Sequence, residues 1–180
     1  NTHVIGSLWN DVRLAKIFAD HVFSMVRQNH FCHAKEKNGL VLVVHGTLVR
    51  DNQGKPPPVP TGLTQTFEFF NLIKNEILND SRNCFQDVKL GCMNHKFGGE
   101  WTHETLQLAM EEFQNSGIEN LALFPFGFFA DNSEVDFEAQ QMLQSSKFEN
   151  KLYISCINDS ELFAEWLAEK IISKIRMVQN

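Results

Sequence analysis

The chain has 180 residues, enough for one α/β domain with a core of its own. Hydrophobic residues make up 43% and charged residues 21%, the balance of a soluble globular protein. A formal net charge of −6 and the lack of any basic run exclude the electrostatic footprint of a nucleic-acid binder or of a protein held on anionic lipid.

In chain order, Val12, Ala15, Ala19, Val22 and Val26 recur at helical spacing, widened by Phe18 and Met25, and predict a helix from Val12 to Gln28. A polar stretch leads to Leu40-Val41-Leu42-Val43-Val44, the aliphatic run of a fully buried parallel strand. Residues 47–62 read as a long loop holding three consecutive prolines, Pro56 to Pro58. Leu63, Phe67, Phe70, Ile73 and Ile77 mark a second helix, and Val88 to Cys92 a weaker strand. Residues 94–101 read as another loop, and Thr102 as the N-cap of a helix whose face carries Leu106, Met110 and Phe113. Leu121 to Phe124 form a third strand, followed by a loop and a helix from about Ser133 to Leu143. Leu152 to Ile157 form a fourth strand, and Asp159 or Ser160 caps a last helix with Phe163, Leu167, Ile171 and Ile175 on one face. Strands alternating with helices four times predict an α/β fold, a doubly wound four-stranded parallel sheet flanked by helices, in a single domain over residues 1–180.

The chemistry-bearing residues follow from that placement. Ligands of open α/β sheets sit beyond the carboxyl ends of the strands, where His45-Gly46 stands after the first strand. Gly46 reads as the residue that lets the chain turn sharply. The plain alternative for His45 is a strand-end imidazole bonded to a loop carbonyl. Glu134 opens the helix after the third strand, and Glu138 lies one turn on, on the same face. These two carboxylates are either a solvated acidic face or a pair turned into a cleft to handle a cation or protons. An imidazole and a carboxylate meeting across the sheet edge can relay protons or hold a transition metal in passing, since a structural metal site needs about four ligands. The four cysteines, Cys32, Cys84, Cys92 and Cys156, are scattered. They read as free thiols of a reducing compartment, with no thiolate cluster for iron–sulfur chemistry. No signal-peptide pattern or membrane-length apolar run is present, and a cytoplasmic location is expected.

Three segments together resemble the ferrochelatase family. Leu42-Val43-Val44-His45-Gly46 followed by Gly54-Lys55-Pro56 is similar to its strand, His and Gly-Asp-Pro turn. Phe97-Gly98-Gly99-Glu100-Trp101-Thr102 is similar to its Trp-Leu-Gly-Pro-x-Thr stretch, and Gly127 to Val135 to its Gly-Phe-x-Ser/Ala-Asp-His-x-Glu block. They occur in family order, and the likeness covers the carboxyl-terminal half of a ferrochelatase. Departures are Asn132 where the family has His, Phe97 for Trp, Gly98 for Leu, Lys55 for Asp, and Met142 where the acidic row would continue.

The resemblance implies insertion of ferrous iron into a porphyrin, protoporphyrin IX or coproporphyrin, in haem biosynthesis. It makes His45 and Glu134 the catalytic pair, and His45, Glu134 and Glu138 the metal-handling residues. Phe97, Trp101 and Phe128 are the rings expected against the macrocycle, each with the plain alternative of packing into core or loop. Fe2+ enters as substrate, and no tightly bound cofactor is expected. The expected partners are the porphyrin and metal, with an amino-terminal half or a second copy of the chain completing the cleft, no nucleic acid, and at most peripheral membrane contact. Two other readings stand beside this one. One is a chelatase for a more carboxylated tetrapyrrole such as sirohydrochlorin, with Arg50, Lys55 and Lys96 at the rim. The other is a tetrapyrrole- or metal-binding half-domain that is non-catalytic or needs a partner.

Overall fold

An unbroken aliphatic strand has no face to offer to water, so it is stable only inside a sheet covered on both sides. A computed structural model of the protein, which describes residues 4–32 and 37–179, places the run from Leu40 to Val44 there. The elements are α1 (Val12–Gln28), β1 (Asn38–His45), β2 (Leu48–Asp51), α2 (Leu63–Leu78), β3 (Asp87–Met93), β4 (Gly99–Trp101), α3 (Leu106–Asn115), β5 (Asn120–Phe124), a π-helical stretch Glu134–Ala139 running into α4 (Gln140–Ser145), β6 (Asn150–Tyr153) and α5 (Glu161–Gln179). The main sheet has the order β3-β1-β5-β6, and all its pairings are parallel. This is the predicted doubly wound α/β architecture with four parallel strands.

Alternation along the strands feeds two cores. Leu40 and Leu42 of β1 pack with α1, α2 and α5, where Phe18, Ile73 and Trp166 are fully buried. Val41 and Val43 pack on the other face with Leu106 and Phe113 of α3 and Leu143 of α4. The connection leaving β1 therefore runs over one face, and that leaving β5 over the other. Their divergence opens a crevice at the carboxyl ends of those two neighbouring strands. At the opposite edge a ladder of asparagines levels the strands: Asn120 Nδ2 donates to Asn38 Oδ1 (3.0 Å) and Asn150 Nδ2 to Asn120 Oδ1 (2.6 Å). Across the β1–β3 pair His45 falls opposite Met93.

Several expectations change. The two loops at 47–62 and 94–101 contain β2 and β4, which pair as a separate antiparallel ribbon. Strands of three or four residues carrying Arg50, Asp51 and Glu100 have no apolar alternation to betray them. The cap of α3 is Thr105, whose hydroxyl accepts from Leu108 N, and not Thr102. Val12 is exposed, because the buried stripe of α1 runs through Leu14, Phe18, Val22 and Phe23. Ile171 and Ile175 of α5 are likewise exposed, and Trp166 is that helix's anchor. Cys32 and Cys84 are joined in a disulfide between the segment after α1 and the turn before β3, with Cα atoms 6.0 Å apart. The expectation of four free thiols is thus wrong for this pair, since scatter in sequence says nothing of proximity in the fold; Cys92 and Cys156 are free and buried.

Candidate active site

His45 ends β1 half-buried at the crevice. Its Nδ1 lies 2.6 Å from the carbonyl oxygen of Gly46. A carbonyl only accepts, so Nδ1 carries the hydrogen and Nε2 presents its lone pair outward. That lone pair faces the Nε2 of His95, 3.2 Å away. The loop-carbonyl bond raised as the plain alternative for His45 is present, and it orients the ring toward the crevice. His95 is the residue that sequence reasoning missed. It stands two positions past β3, the strand paired with β1, so the strand-end rule that singled out His45 applies to it equally.

Gly46 is required for a reason other than a sharp turn, since its φ is not positive. A Cβ there would meet the side-chain oxygen of Asn94 at 1.8 Å. Asn94 in turn donates from Nδ2 to the Thr102 carbonyl (2.6 Å). The Thr102 hydroxyl, buried, donates to the Thr47 carbonyl (3.0 Å) and accepts from the Thr47 amide (2.8 Å). Asn94 and Thr102 thus knot the chain just after His45 to the base of the β2–β4 ribbon.

The facing wall comes from the segment after β5. Gly127 passes so close to β1 that a Cβ would meet Val44 Cγ2 at 2.4 Å. Asp131 then accepts from Cys156 N (2.7 Å) and from the Asn158 amide (2.6 Å), tying this loop to the one after β6. Asn132, which stands where the resemblance has His, accepts at Oδ1 from the amides of Glu134 (3.0 Å) and Val135 (3.4 Å). Its side chain starts the π-helical stretch as an N-cap would. Glu134 and Glu138 line one cavity of about 580 Å3 together with His95, Lys96 and Met142. The two carboxylates therefore belong to the cleft, and the helix they ride on is π-wound where a plain α-helix was expected. The Cys92 thiol also reaches this wall, but burial first, and then the charge of Glu104, push it up to about 12, so it stays protonated at neutral pH.

The three aromatic candidates separate. Phe97 is 74% exposed, and its ring stacks on His95 with centroids 5.2 Å apart. Trp101 meets His95 and His45 edge-on at 5.0 and 6.0 Å, and its indole N–H donates to the Phe97 carbonyl (2.8 Å). Phe128 instead packs, partly buried, against the core on the α3 side. His45, His95, Phe97 and Trp101 form one aromatic cluster at the mouth of the cavity.

A sequence model of the ferrochelatase family matches residues 1–175. The chain belongs to the ferrochelatase family. The ferrochelatase of Sulfurimonas denitrificans is 27% identical over 108 residues, which are 58% of this chain and 33% of that protein, so the chain spans about a third of the length of this curated relative. A solved structure from Marinobacter aquaeolei, described as a cobalamin (vitamin B12) biosynthesis CbiX protein, superposes with a TM-score of 0.48 at 12% identity, covering 79% of this chain and 99% of that one. The ferrochelatase-like segments fall on the elements around the crevice: the end of β1, the ribbon from Phe97 to Thr102, and the path from Gly127 into the π-helical stretch. Ferrochelatases are metal chelatases of porphyrin biosynthesis, and this ferrochelatase-family chain carries no helix, among the described residues, long and apolar enough to cross a membrane.

Proposed function

We propose that the chain carries the metal-inserting wall of a ferrochelatase and places Fe2+ in a porphyrin, protoporphyrin IX or coproporphyrin, as a step of haem biosynthesis. The observation that supports this reading is the meeting of imidazole and carboxylate at one sheet edge: Glu134 and Glu138 share a cavity with His95, whose ring touches His45. The task is to exchange two pyrrole N–H protons for a metal ion. With its tautomer fixed by the Gly46 carbonyl, His45 Nε2 is the base that accepts a pyrrole proton. Glu134 offsets the charge of the arriving cation, and Glu138, a step along the same wall, is the next carboxylate for the metal or for the released protons. Phe97 and Trp101 offer ring faces and edges to a planar macrocycle, and the accessible part of Phe128 is the third contact in this reading. Lys96 in the cavity wall suits a propionate carboxylate of the substrate.

The test is conversion of protoporphyrin IX or coproporphyrin to the metalloporphyrin with Fe2+ or Zn2+, followed at the Soret band. His45→Ala should lower the rate by about 100-fold or more, the scale of a lost general base, with the fold intact by circular dichroism. Wild-type turnover in that variant sinks the assignment. A second reading, a tetrapyrrole-binding half that turns over only with a partner, is favoured by the outer side of α5, where Ile172, Ile175 and Met177 are exposed. It expects a shifted Soret band without insertion for this chain alone. Insertion only into sirohydrochlorin would move the substrate to that more carboxylated class.

A further inference from the structure

His95 belongs to none of the three segments that resemble the family, yet its Nε2 stands 3.2 Å from that of His45. We propose that the two imidazoles clamp the divalent metal between these nitrogens, making His95 the second ligand of the incoming ion, until the ion passes to the macrocycle and frees His45 Nε2 to take a pyrrole proton. Two imidazole nitrogens on one tetrahedral ion, each about 2.0–2.1 Å from it, stand roughly 3.3 Å apart. The observed spacing is already that of a chelating pair. Ligating histidines donate their other ring N–H to a carbonyl or carboxylate, which fixes the tautomer, and the bond from His45 Nδ1 to Gly46 O does this. The His95 ring is held as well, stacked on Phe97 and edge-on to Trp101. Without metal the pair shares one hydrogen between its Nε2 atoms. With metal, neutral His95 carries that hydrogen on Nδ1 instead, so both Nε2 lone pairs reach the ion and no net proton is released.

Among the described residues no three His, Cys, Asp or Glu side chains gather as a cage. Two ligands hold an ion weakly and leave its other coordination positions for water and then for pyrrole nitrogens, which suits a cargo. His95 also lines the cavity that holds Glu134 and Glu138, so the clamped ion sits at the edge of the carboxylate wall. The binding stands on this geometry alone. Only the fate of the metal rests on the chelatase reading.

The experiment titrates the whole chain with Zn2+ in the absence of any tetrapyrrole and follows the 15N resonances of the imidazoles. One equivalent of Zn2+ should move the Nε2 signals of His45 and His95 together. His95→Asn should weaken binding at least tenfold, while His30→Asn, at an exposed position between α1 and the amino end of β1, should not. Movement of His45 alone, unchanged affinity in His95→Asn, or no binding overturns the clamp. Insertion assays separate the two ideas. Wild-type insertion by His95→Asn together with its unchanged Zn2+ affinity removes the clamp and leaves the chelatase standing, whereas concerted Zn2+ binding with no insertion into any tetrapyrrole does the reverse.

Discussion

Replacing Gly46 by Ala tests the packing that holds His45 in place. The new methyl would lie 1.8 Å from Asn94 Oδ1, 2.9 Å from Cγ and 3.1 Å from Cα. The first two contacts are impossible, so the Asn94 amide must swing away and give up its 2.6 Å bond to the Thr102 carbonyl. Overpacking costs about 1–3 kcal/mol, and a partly buried carbonyl losing its donor about 1 kcal/mol or more. We expect Gly46→Ala to lose roughly 2–4 kcal/mol by urea unfolding, or roughly 4–16 °C in Tm for a chain of this size. Asn94→Ala removes the obstructing atoms, and only the 3.1 Å approach to the backbone remains. On that background the same Gly46→Ala change should cost under about 1 kcal/mol, a coupling at the upper end of what contacting residues show. Equal costs on the two backgrounds, or a loss below about 0.5 kcal/mol in the single variant, would refute the account of why glycine follows His45.

Thr102→Val keeps the shape and deletes both hydroxyl bonds to Thr47, for a loss of about 1–3 kcal/mol, whereas Thr102→Ser keeps most of the stability; equal unfolding midpoints for the two variants would count against the knot. The denatured, unreduced chain should show two reactive thiols, and Cys84→Ser, which opens a loop of 52 residues, should lower stability by about 4 kcal/mol; four reactive thiols would disprove the pairing. Asp11 is partly desolvated, which raises its pKa, but the bond from Lys170 (2.5 Å) and the Leu14 amide outweigh this and hold it below its ordinary value of 3.8. A carboxyl so depressed adds stability above its unfolded pKa, and that share is lost as pH falls through the folded value. Asp11→Asn keeps the N-cap and removes the charge, so its deficit of about 0.2–1 kcal/mol at pH 7 should persist down to pH 3.8 and shrink as pH falls further, through the depressed pKa of folded Asp11; a deficit independent of pH would rule out the ion pair as its source.

Three strands of the sheet were legible because they announce themselves locally, whereas the fourth runs over Asn150–Tyr153 and not Leu152 to Ile157, since that apolar run continues past the strand into the buried Ile154, Cys156 and Ile157. Leu40 to Val44 and Leu121 to Phe124 are continuous apolar runs, and α1 begins and ends where its periodicity predicts. The ribbon was not, because β2 and β4 are too short for a period and are held mainly by backbone pairing. At the site, His45, Glu134 and Glu138 could be placed by the strand-end rule and the family likeness. His95 escaped because Asn94-His95 lies in what reads as a glycine-containing loop, and only the β1–β3 register shows that it faces His45. Gly46 was singled out for the wrong cause: a clash with a residue 48 positions away leaves no mark in the local sequence. The Cys32–Cys84 bond was hidden for the same reason.

The π-winding of Glu134–Ala139 sets the acidic wall by the number of residues rather than by their identity. A π-turn bonds i to i+5 where an α-turn bonds i to i+4, so this stretch holds one residue more than an α-helix of the same hydrogen-bonded span. Dropping a single codon, for instance that of the exposed Phe137, would let the helix rewind as α and exchange four π-steps of about 80° for three α-steps of about 100°, turning Glu138 by about 30° relative to Glu134 and drawing it closer along the axis. The angle between the two carboxylates is therefore open to insertion and deletion, and is nearly closed to point substitution. A lineage could retune the wall of this cleft in one genetic step that leaves both glutamates in place, and an alignment would show it only as a gap.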